Sequence, residues 1–315
     1  ANMPQGDEVY LLWGGTGWIG GILKTLLEEG GKKVVVASSR IENRQDVERE
    51  LDEHKPSRVI MAAGLTGRPN VDWCETNRNA TVRVNVCGTI NVADLCAARS
   101  IHCTIFATGC IYEYDAGHPI GGKGYTEEDV PNYDASYYSK TKIMVEELLK
   151  AFPTSLVLRL RMPISDELGP RNFVYKIARY HKVVDVPNSM SVLTDLLPLA
   201  LAMSKKQLTG IYNFTNPGVI SHNQVLQMYK EEVDPKFAWD NFSVEEQSKI
   251  LAAGRSNNFL DTTKLEAVAK ETGQRLPDIL TATREALCAA RKRLEDAGAY
   301  PSGLPQKMGP GNTPQ

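Results

Sequence analysis

A short apolar run followed at once by closely spaced glycines sets the strongest limit on how this chain folds. Residues 9–13 read VYLLW and residues 14–21 read GGTGWIGG, with helix-like sequence after them. A buried strand that ends in glycines and leads into a helix is typical of a parallel sheet with crossover helices. Gly14, Gly17 and Gly20 are spaced G-x-x-G-x-x-G. Glycines there let backbone N–H groups and the helix N-terminus approach a phosphate, as a dinucleotide site requires.

Strand-like and helix-like segments alternate after this turn, with apolar runs beginning near residues 33, 58, 102 and 155. Alternation of this kind predicts an α/β fold, a doubly wound parallel sheet of the Rossmann type. Beyond residue 163 Pro and Asn become frequent, which predicts a smaller C-terminal substrate lobe. The predicted domains are a Rossmann domain over 1–163 and 186–215, a substrate-binding lobe over 164–185 and 216–300, and a Pro- and Gly-rich disordered tail over 301–315.

Composition excludes several classes of function. With a net charge of −2 and no basic block, the chain is not expected to bind nucleic acid. Its six cysteines contain no C-x-x-C pair and its five histidines no H-E-x-x-H, so we predict no metal site. No apolar run approaches the roughly 18 residues of a membrane span, and the start lacks the basic region of a signal peptide. We therefore expect a cytoplasmic protein with reduced thiols and no membrane partner.

The ends of the second and third strands indicate which cofactor is bound. The second strand ends in ASSR, so Arg40 stands where an NAD site usually has an acidic residue. An arginine there suits the 2′-phosphate of NADP(H), with Arg44 in support, although a solvated surface arginine is the alternative. Ala63 and Gly64 after the third strand are small enough for a cofactor to pass, although helix–sheet packing also explains them. Together with Trp18 and Ile19 of the glycine turn, these residues are the predicted NADP(H) contacts.

The segment YYSKTK predicts an acid–base pair. Tyr138 and Lys142 are four residues apart and share one face of a helix. A tyrosine with its ordinary pKa of about 10 is a poor acid–base catalyst alone, and a nearby ammonium favours its phenolate. We expect both residues to contact the cofactor as well. Thr108, at the end of the fourth strand, is expected to bond the same substrate oxygen. Tyr137 is the alternative tyrosine, but its fourth neighbour is a threonine.

Several motifs resemble a known family. The whole pattern is similar to the extended short-chain dehydrogenase/reductase family, and over roughly residues 8–262 it closely resembles plant-type nucleotide-rhamnose epimerase-reductases. The resemblance implies a bifunctional 3,5-epimerase and 4-reductase that converts UDP- or dTDP-4-keto-6-deoxyglucose to the L-rhamnose form with NADPH. It also implies a homodimer. The motifs concerned are GTGWIGG, AAGLTGRPNVDWCE, ATGCIYEYD, YYSKTKIMVEELLK, PRNFVYKI, GIYNFTNPGVISHN and RSNN.

The same resemblance implies roles for four further residues. Cys110, two residues past Thr108, and Lys176 of PRNFVYKI would move protons on opposite faces of the sugar ring, with His181 as the alternative to Lys176. A thiol suits this role because its ordinary pKa of about 8.5 is within reach of neutrality. Asn172 would bind the sugar or diphosphate, and Arg255 the diphosphate. A packed core thiol and a solvated lysine are the bland alternatives for Cys110 and Lys176.

Two other functions remain open from the sequence. A 4-reductase without epimerase activity would leave Cys110 unexplained. A non-catalytic NADP-binding regulatory subunit would have no need of Thr108, Tyr138 and Lys142 together.

Overall fold

The computed structural model describes residues 8–67, 70–249 and 254–308. In these residues the strands are β1 (Val9–Trp13), β2 (Lys33–Val36), β3 (Arg58–Met61), β4 (His102–Thr108), β5 (Ser155–Leu160), β6 (Lys182–Val183), β7 (Gly210–Asn213) and β8 (Asp240–Asn241). The helices are α1 (Trp18–Glu29), α2 (Arg44–His54), α3 (Trp73–Thr76), α4 (Arg78–Val82), α5 (Thr89–Ala98), α6 (Tyr137–Leu149), α7 (Phe173–Ala178), α8 (Leu193–Lys205), α9 (His222–Glu232), α10 (Val244–Ser248), α11 (Thr263–Thr272) and α12 (Ile279–Asp296). A π-helical turn, Arg83–Gly88, joins α4 to α5.

Six strands form one sheet in the order β2-β1-β3-β4-β5-β7. Strand β1 pairs in parallel with β2 and β3, and β3 pairs in parallel with β4. The predicted fold class, a parallel sheet with flanking helices, is confirmed. The strand order reverses between β1 and β3, and open α/β sheets bind ligands at the carboxyl ends of the strands at such a point. The loops after β1 and β3 are therefore where a cofactor is expected.

The chain divides into two compact units, each described here by itself. The first contains residues up to Thr108, Tyr137–Arg159 and Leu197–Tyr212. The second contains Gly109–Ser136, Leu160–Leu196 and the residues from Asn213 onward. These ranges differ from the predicted domains chiefly in residues 109–136, which we assigned to the Rossmann domain.

Backbone pairing explains why residues 109–136 belong to the second unit. The N–H of Tyr114 donates to the carbonyl of Asn257 at 2.9 Å, and that of Tyr125 to Phe259 at 2.8 Å. The N–H of Asp261 donates back to Tyr125 at 2.8 Å. This pairing joins segments more than a hundred residues apart, so no local pattern in the sequence announces it.

Each unit has its own apolar core. In the first, residues of β1, β3 and β4 pack with apolar faces of α2, α5 and α6, as Trp13, Val47, Val92 and Val145 illustrate. In the second, the core is helical. It joins α7, α9 and α12, and its buried members include Val174, Ile177, Leu226, Tyr229 and Leu287.

The end of the described chain differs from the prediction of a disordered tail. Leu304 packs against the core of the second unit. The N–H of Met308 donates to the carbonyl of Arg179 at 2.9 Å, and Lys307 donates to the carbonyl of Tyr180. Residues 301–308 are thus tied to the chain that follows α7, despite their Pro- and Gly-rich composition. Residues 309–315 lie outside the described residues.

Candidate active site

The glycine turn after β1 is shaped by the neighbouring strand. Gly14 has φ +85°, a conformation that side chains disfavour. A Cβ on Gly14 would lie 2.6 Å from the backbone nitrogen of Ala63 and 2.7 Å from the carbonyl carbon of Ala62. The chain leaving β3 therefore passes directly against Gly14. The sequence predicted this glycine from phosphate approach, and the structure adds a second requirement for it.

The N-terminus of α1 fits a phosphate. Gly17 caps the helix and is itself held by a 2.8 Å hydrogen bond from its N–H to the carbonyl of Gly14. Because Gly17 has no side chain, no capping oxygen occupies the N–H groups of the first turn, Trp18, Ile19 and Gly20. Those N–H groups and the helix dipole are available to an anion.

The loop after β2 is fixed by a glutamate that we did not predict. Glu50 of α2 is 5% exposed. Its Oε1 accepts hydrogen bonds from the N–H groups of Ser38 and Ser39, at 2.8 and 2.7 Å, and from the hydroxyl of Ser38 at 2.8 Å. Arg40 follows directly and is exposed. An acid between two apolar positions, Val47 and Leu51, on the buried face of α2 was the available signal.

The loop after β3 is held by Asn85 in the π-helical turn. Asn85 is 1% exposed. Its Oδ1 accepts from the N–H of Leu65 and its Nδ2 donates to the Leu65 carbonyl, both at 2.8 Å. This reciprocal pair fixes the chain immediately after Ala63 and Gly64, the two predicted cofactor contacts.

Helix α6 presents the predicted tyrosine and lysine as a pair. The Nζ of Lys142 lies 5.9 Å from the ring centroid of Tyr138. Lys142 is 9% exposed. Burial lowers the pKa of its amine to about 8, against the smaller opposing effects of Glu146 and Cys74. A lysine in this condition exchanges its proton near neutral pH, which suits a partner of a catalytic phenol.

Tyr137 faces a different set of residues. Its backbone N–H donates to Oε1 of Glu75 at 2.7 Å, and its ring lies under the guanidinium of Arg78 at 4.9 Å. The lysine contact belongs to Tyr138, which favours Tyr138 over Tyr137 as the acid–base residue. Thr108 is the last residue of β4 and is 6% exposed.

A buried ion pair follows on the same helix. Glu146 lies one turn beyond Lys142, and both of its oxygens accept from Arg159 of β5, at 2.6 and 3.0 Å. The two side chains are 6% and 2% exposed. A bidentate pair of this kind fixes the carboxylate in place, so a constant negative charge stays near the Lys142 amine. The sequence analysis missed both residues.

In the second unit, buried polar groups hold the backbone on both sides of Cys110. The carbonyl of Gly109 accepts from Arg161 and from Asn258, each at 3.0 Å. The carbonyl of Tyr112 accepts from Asn258 at 2.9 Å and from the hydroxyl of Ser256 at 2.6 Å. Cys110 itself is partly exposed. The RSNN motif, chosen from sequence for its arginine, thus contributes a serine and an asparagine that shape the cysteine loop.

Helix α7 places Lys176 in a partly buried position. Burial lowers the pKa of its amine, and the charge of Arg171 lowers it further. The alternative, His181, is exposed and its Nε2 lies 2.7 Å from the carbonyl of Met308. Of the two, Lys176 is the less exposed residue, and the lowered pKa of its amine is the kind of perturbation found at functional sites.

The structure gives Asn172 a structural role in place of the predicted substrate contact. Asn172 is 0% exposed. Its Oδ1 caps α7 by accepting from the N–H of Val174 at 2.9 Å. Its Nδ2 donates to the carbonyls of Ser165 and Glu167, at 2.9 and 2.8 Å. Both amide hydrogens are therefore used within the fold. Arg255 stays a predicted diphosphate ligand.

Two features are absent from the described part of the chain. No group of three His, Cys, Asp or Glu side chains there is arranged as a metal site requires. None of the helices found in the same residues combines the length and the apolar character needed to cross a membrane.

Comparisons with known proteins identify the family. Residues 10–163 match the model of the NAD dependent epimerase/dehydratase family. A bifunctional dTDP-4-dehydrorhamnose 3,5-epimerase/dTDP-4-dehydrorhamnose reductase from Arabidopsis thaliana is 55% identical over 259 residues, which are 82% of this chain and 86% of the relative. The chain belongs to the same family as this relative. The predicted resemblance to the nucleotide-rhamnose epimerase-reductases is confirmed.

Two other known proteins are similar over most of this chain. The crystal structure of the L780 UDP-rhamnose synthase from Acanthamoeba polyphaga mimivirus has a TM-score of 0.85 at 39% identity, covering 90% of this chain and 100% of that one. A trifunctional UDP-glucose 4,6-dehydratase/UDP-4-keto-6-deoxy-D-glucose 3,5-epimerase/UDP-4-keto-L-rhamnose-reductase from Arabidopsis thaliana is 53% identical over 269 residues. That match takes in 84% of this chain and 40% of the trifunctional protein.

Proposed function

We propose that this chain is a bifunctional epimerase-reductase that converts UDP-4-keto-6-deoxyglucose to UDP-L-rhamnose with NADPH, and accepts the dTDP sugar as the alternative substrate. The observation that supports it most is the combination of the Tyr138–Lys142 pair with a cysteine two residues past Thr108. The 55% identical relative is named for both activities. The UDP form is favoured because the similar mimivirus structure is named a UDP-rhamnose synthase.

The epimerase half of the reaction requires a base and an acid on opposite faces of the sugar. Hydrogens on carbons 3 and 5 are acidic because they flank the ketone at carbon 4. Cys110 removes one of these protons, the electrons move onto the ketone oxygen, and Tyr138 and Thr108 hold the resulting enolate oxygen by hydrogen bonds. Lys176 returns a proton to the carbon from the other face, which inverts it. The lowered pKa of Lys176 supports this role because its ammonium gives up a proton readily.

The reductase half uses the first unit. NADPH, when bound, supplies a hydride to carbon 4. Tyr138 donates a proton to the carbon 4 oxygen, and the charge of Lys142 stabilises the phenolate that remains. The glycine turn and the first turn of α1 would hold the pyrophosphate. Arg40 would bind the 2′-phosphate, and the N-terminus of α1, where no side chain caps the first-turn N–H groups, supports a dinucleotide there.

The experiment is conversion of UDP-4-keto-6-deoxyglucose with NADPH in D2O, with the product identified by NMR. We expect L-rhamnose with deuterium at carbons 3 and 5. The variant C110S should lose deuterium incorporation by at least about 100-fold and still bind NADPH. The matched control is C87S, because Cys87 is an exposed thiol on the π-helical turn, and it should behave as the wild type.

Other outcomes assign the chain to the alternatives. A product with D configuration at carbon 5 and no deuterium would make it a 4-reductase alone. No NADPH oxidation with either the UDP or the dTDP sugar would favour a regulatory subunit. A higher kcat/KM for the dTDP sugar would reverse the nucleobase assignment.

A further inference from the structure

Arg161, the residue directly after β5, is a fully buried arginine. It is 1% exposed. Its guanidinium makes five hydrogen bonds, and every acceptor is neutral. They are the Ser189 carbonyl at 3.2 Å, the Gly109 carbonyl at 3.0 Å, the Ser256 hydroxyl and carbonyl each at 3.0 Å, and Oδ1 of Asn188 at 2.7 Å.

These hydrogen bonds satisfy the N–H donors of the guanidinium, but their acceptors carry no negative charge to balance its positive charge. Among the residues that the structure describes, no carboxylate forms an ion pair with Arg161, unlike its near neighbour Arg159. Burial lowers the pKa of Arg161, which reflects the cost of holding the charge away from water. A buried cation of this kind favours any nearby group that becomes an anion.

Three ionisable groups interact electrostatically with Arg161, namely Cys110, Tyr114 and Tyr133. The hydroxyl of Tyr114 donates to the carbonyl of Pro187 at 2.9 Å, and burial raises its pKa, so it stays neutral. Tyr133 is buried, 3% exposed, and phenols ordinarily ionise only near pH 10. Of a thiol and two phenols, the thiol is the type of group that ordinarily ionises closer to neutral pH.

The packing beneath Gly109 brings the arginine against the residue that precedes Cys110. A Cβ on Gly109 would lie 3.0 Å from Cγ and 3.1 Å from Cδ of Arg161. It would also lie 2.5 Å from a methyl group of Leu260. Glycine at 109 therefore allows the backbone that leads into Cys110 to rest on the arginine side chain, while the guanidinium bonds the Gly109 carbonyl.

We propose that Arg161 is a positioning residue for Cys110, fixing its backbone and stabilising its thiolate, so that Cys110 is the base of the epimerisation. The proposal rests on the proposed function for its role in catalysis. A positive charge beside the thiol agrees with the proton transfers of the proposed function, in which the thiolate takes the proton from carbon and the ammonium of Lys176 returns one.

The first test uses the wild-type protein without substrate. The rate of alkylation by iodoacetamide is followed against pH for each cysteine by peptide mass spectrometry, because only the thiolate reacts. We expect Cys110 to reach half its maximal rate at least one pH unit below the exposed Cys87. A midpoint for Cys110 at or above that of Cys87 would overturn the proposal.

The second test compares R161M with R161K. R161M should move the Cys110 midpoint upward by at least one pH unit and slow alkylation at pH 7 about tenfold, with the high-pH rate unchanged. R161K should leave the Cys110 midpoint close to its wild-type value, because lysine keeps the positive charge. A purely structural role would instead change the rate by the same factor at every pH. If R161M does not fold, R161K and the wild-type profile still decide, since a lysine that leaves the midpoint at the Cys87 value contradicts the proposal.

These results separate the proposal from the proposed function. A low Cys110 midpoint with no deuterium incorporation into the sugar would keep the Arg161 assignment and remove the epimerase. Deuterium incorporation together with a Cys110 midpoint at the Cys87 value would keep the epimerase and remove the Arg161 assignment.

Discussion

At the scale of single residues, each of the two compact units buries a basic side chain of a type that is ordinarily exposed to water. These are Lys142 in the first unit and Arg161 in the second. Lys142 is predictable as a catalytic partner from its spacing to Tyr138. Its burial is not, because it depends on how α6 packs on the sheet. Arg161 gave a weak signal, since a strand reading SLVLRLR places two arginines on one side of an otherwise apolar run. Arg159 pairs with Glu146 on the preceding helix, whereas Arg161 bonds residues 27 to 95 positions away, so only the structure shows that Arg159 has a carboxylate partner and that Arg161 bonds neutral groups.

The buried amine of Lys142 should cost stability. Its pKa falls from an ordinary 10.5 to about 8 on folding. The unfolded chain therefore binds more protons between those values, and the free energy of unfolding rises with pH across that window. We predict that K142M lowers reductase activity about 10²–10⁴-fold but raises the melting temperature at pH 7. The gain should shrink as pH rises from 8 towards 10.5.

Thermal melts at pH 7 and pH 10 check this prediction. The matched control is K140M, which removes an exposed lysine from the same helix and should change the melting temperature little at either pH. K142M melting below the wild type at both pH values would contradict the argument.

At the scale of elements, the site depends on loops held by side chains from other elements. The carboxylate of Glu50 on α2 holds the loop after β2, Asn85 holds the loop after β3, and Asn258 holds the loop after β4. The strands and helices themselves were predictable from apolar periodicity. These loop contacts were not, because each joins residues distant in sequence through a single hydrogen-bonding group.

The loop after β2 yields a test of cofactor choice. We predict that R40A raises the KM for NADPH about 10- to 100-fold and leaves the KM for NADH unchanged, because one charged hydrogen bond to the 2′-phosphate is lost. The control is R44A, since Arg44 is already paired with Asp94. Steady-state kinetics with both cofactors decide. An equal rise in KM for NADPH and NADH would show that Arg40 does not read the 2′-phosphate.

At the scale of the whole molecule, the chain enters and leaves each compact unit repeatedly. The sequence predicted the first unit well because its strands and helices follow each other locally. It predicted the second unit poorly, since residues 109–136 pair with residues 257–261 and the final residues return to the chain after α7. Of the candidate site, the spacing-based residues Gly14, Tyr138 and Lys142 came from the sequence, and the groups that hold the loops did not.

The returning C-terminal segment should stabilise the region that follows Lys176. We predict that a chain ending at Tyr300 melts at a lower temperature and incorporates deuterium into the sugar more slowly, with an unchanged Kd for NADPH. It loses the bonds from residues 307 and 308 to residues 179 and 180 and the packing of Leu304. A chain ending at Met308 keeps these contacts and is the control. Equal melting temperatures for the two truncations would contradict the prediction.

The three-part make-up of the second unit has a consequence for recombination between relatives. Its segments are interleaved with those of the first unit, so a single crossover anywhere from residue 109 to residue 253 assembles that unit from two parents. Hybrids with the crossover between residues 161 and 253 take Arg161 from one parent and its partners Ser256 and Asn258 from the other. Exchange of the sugar-handling part between homologous genes therefore needs several coordinated crossovers, and shuffled libraries should be designed around that constraint.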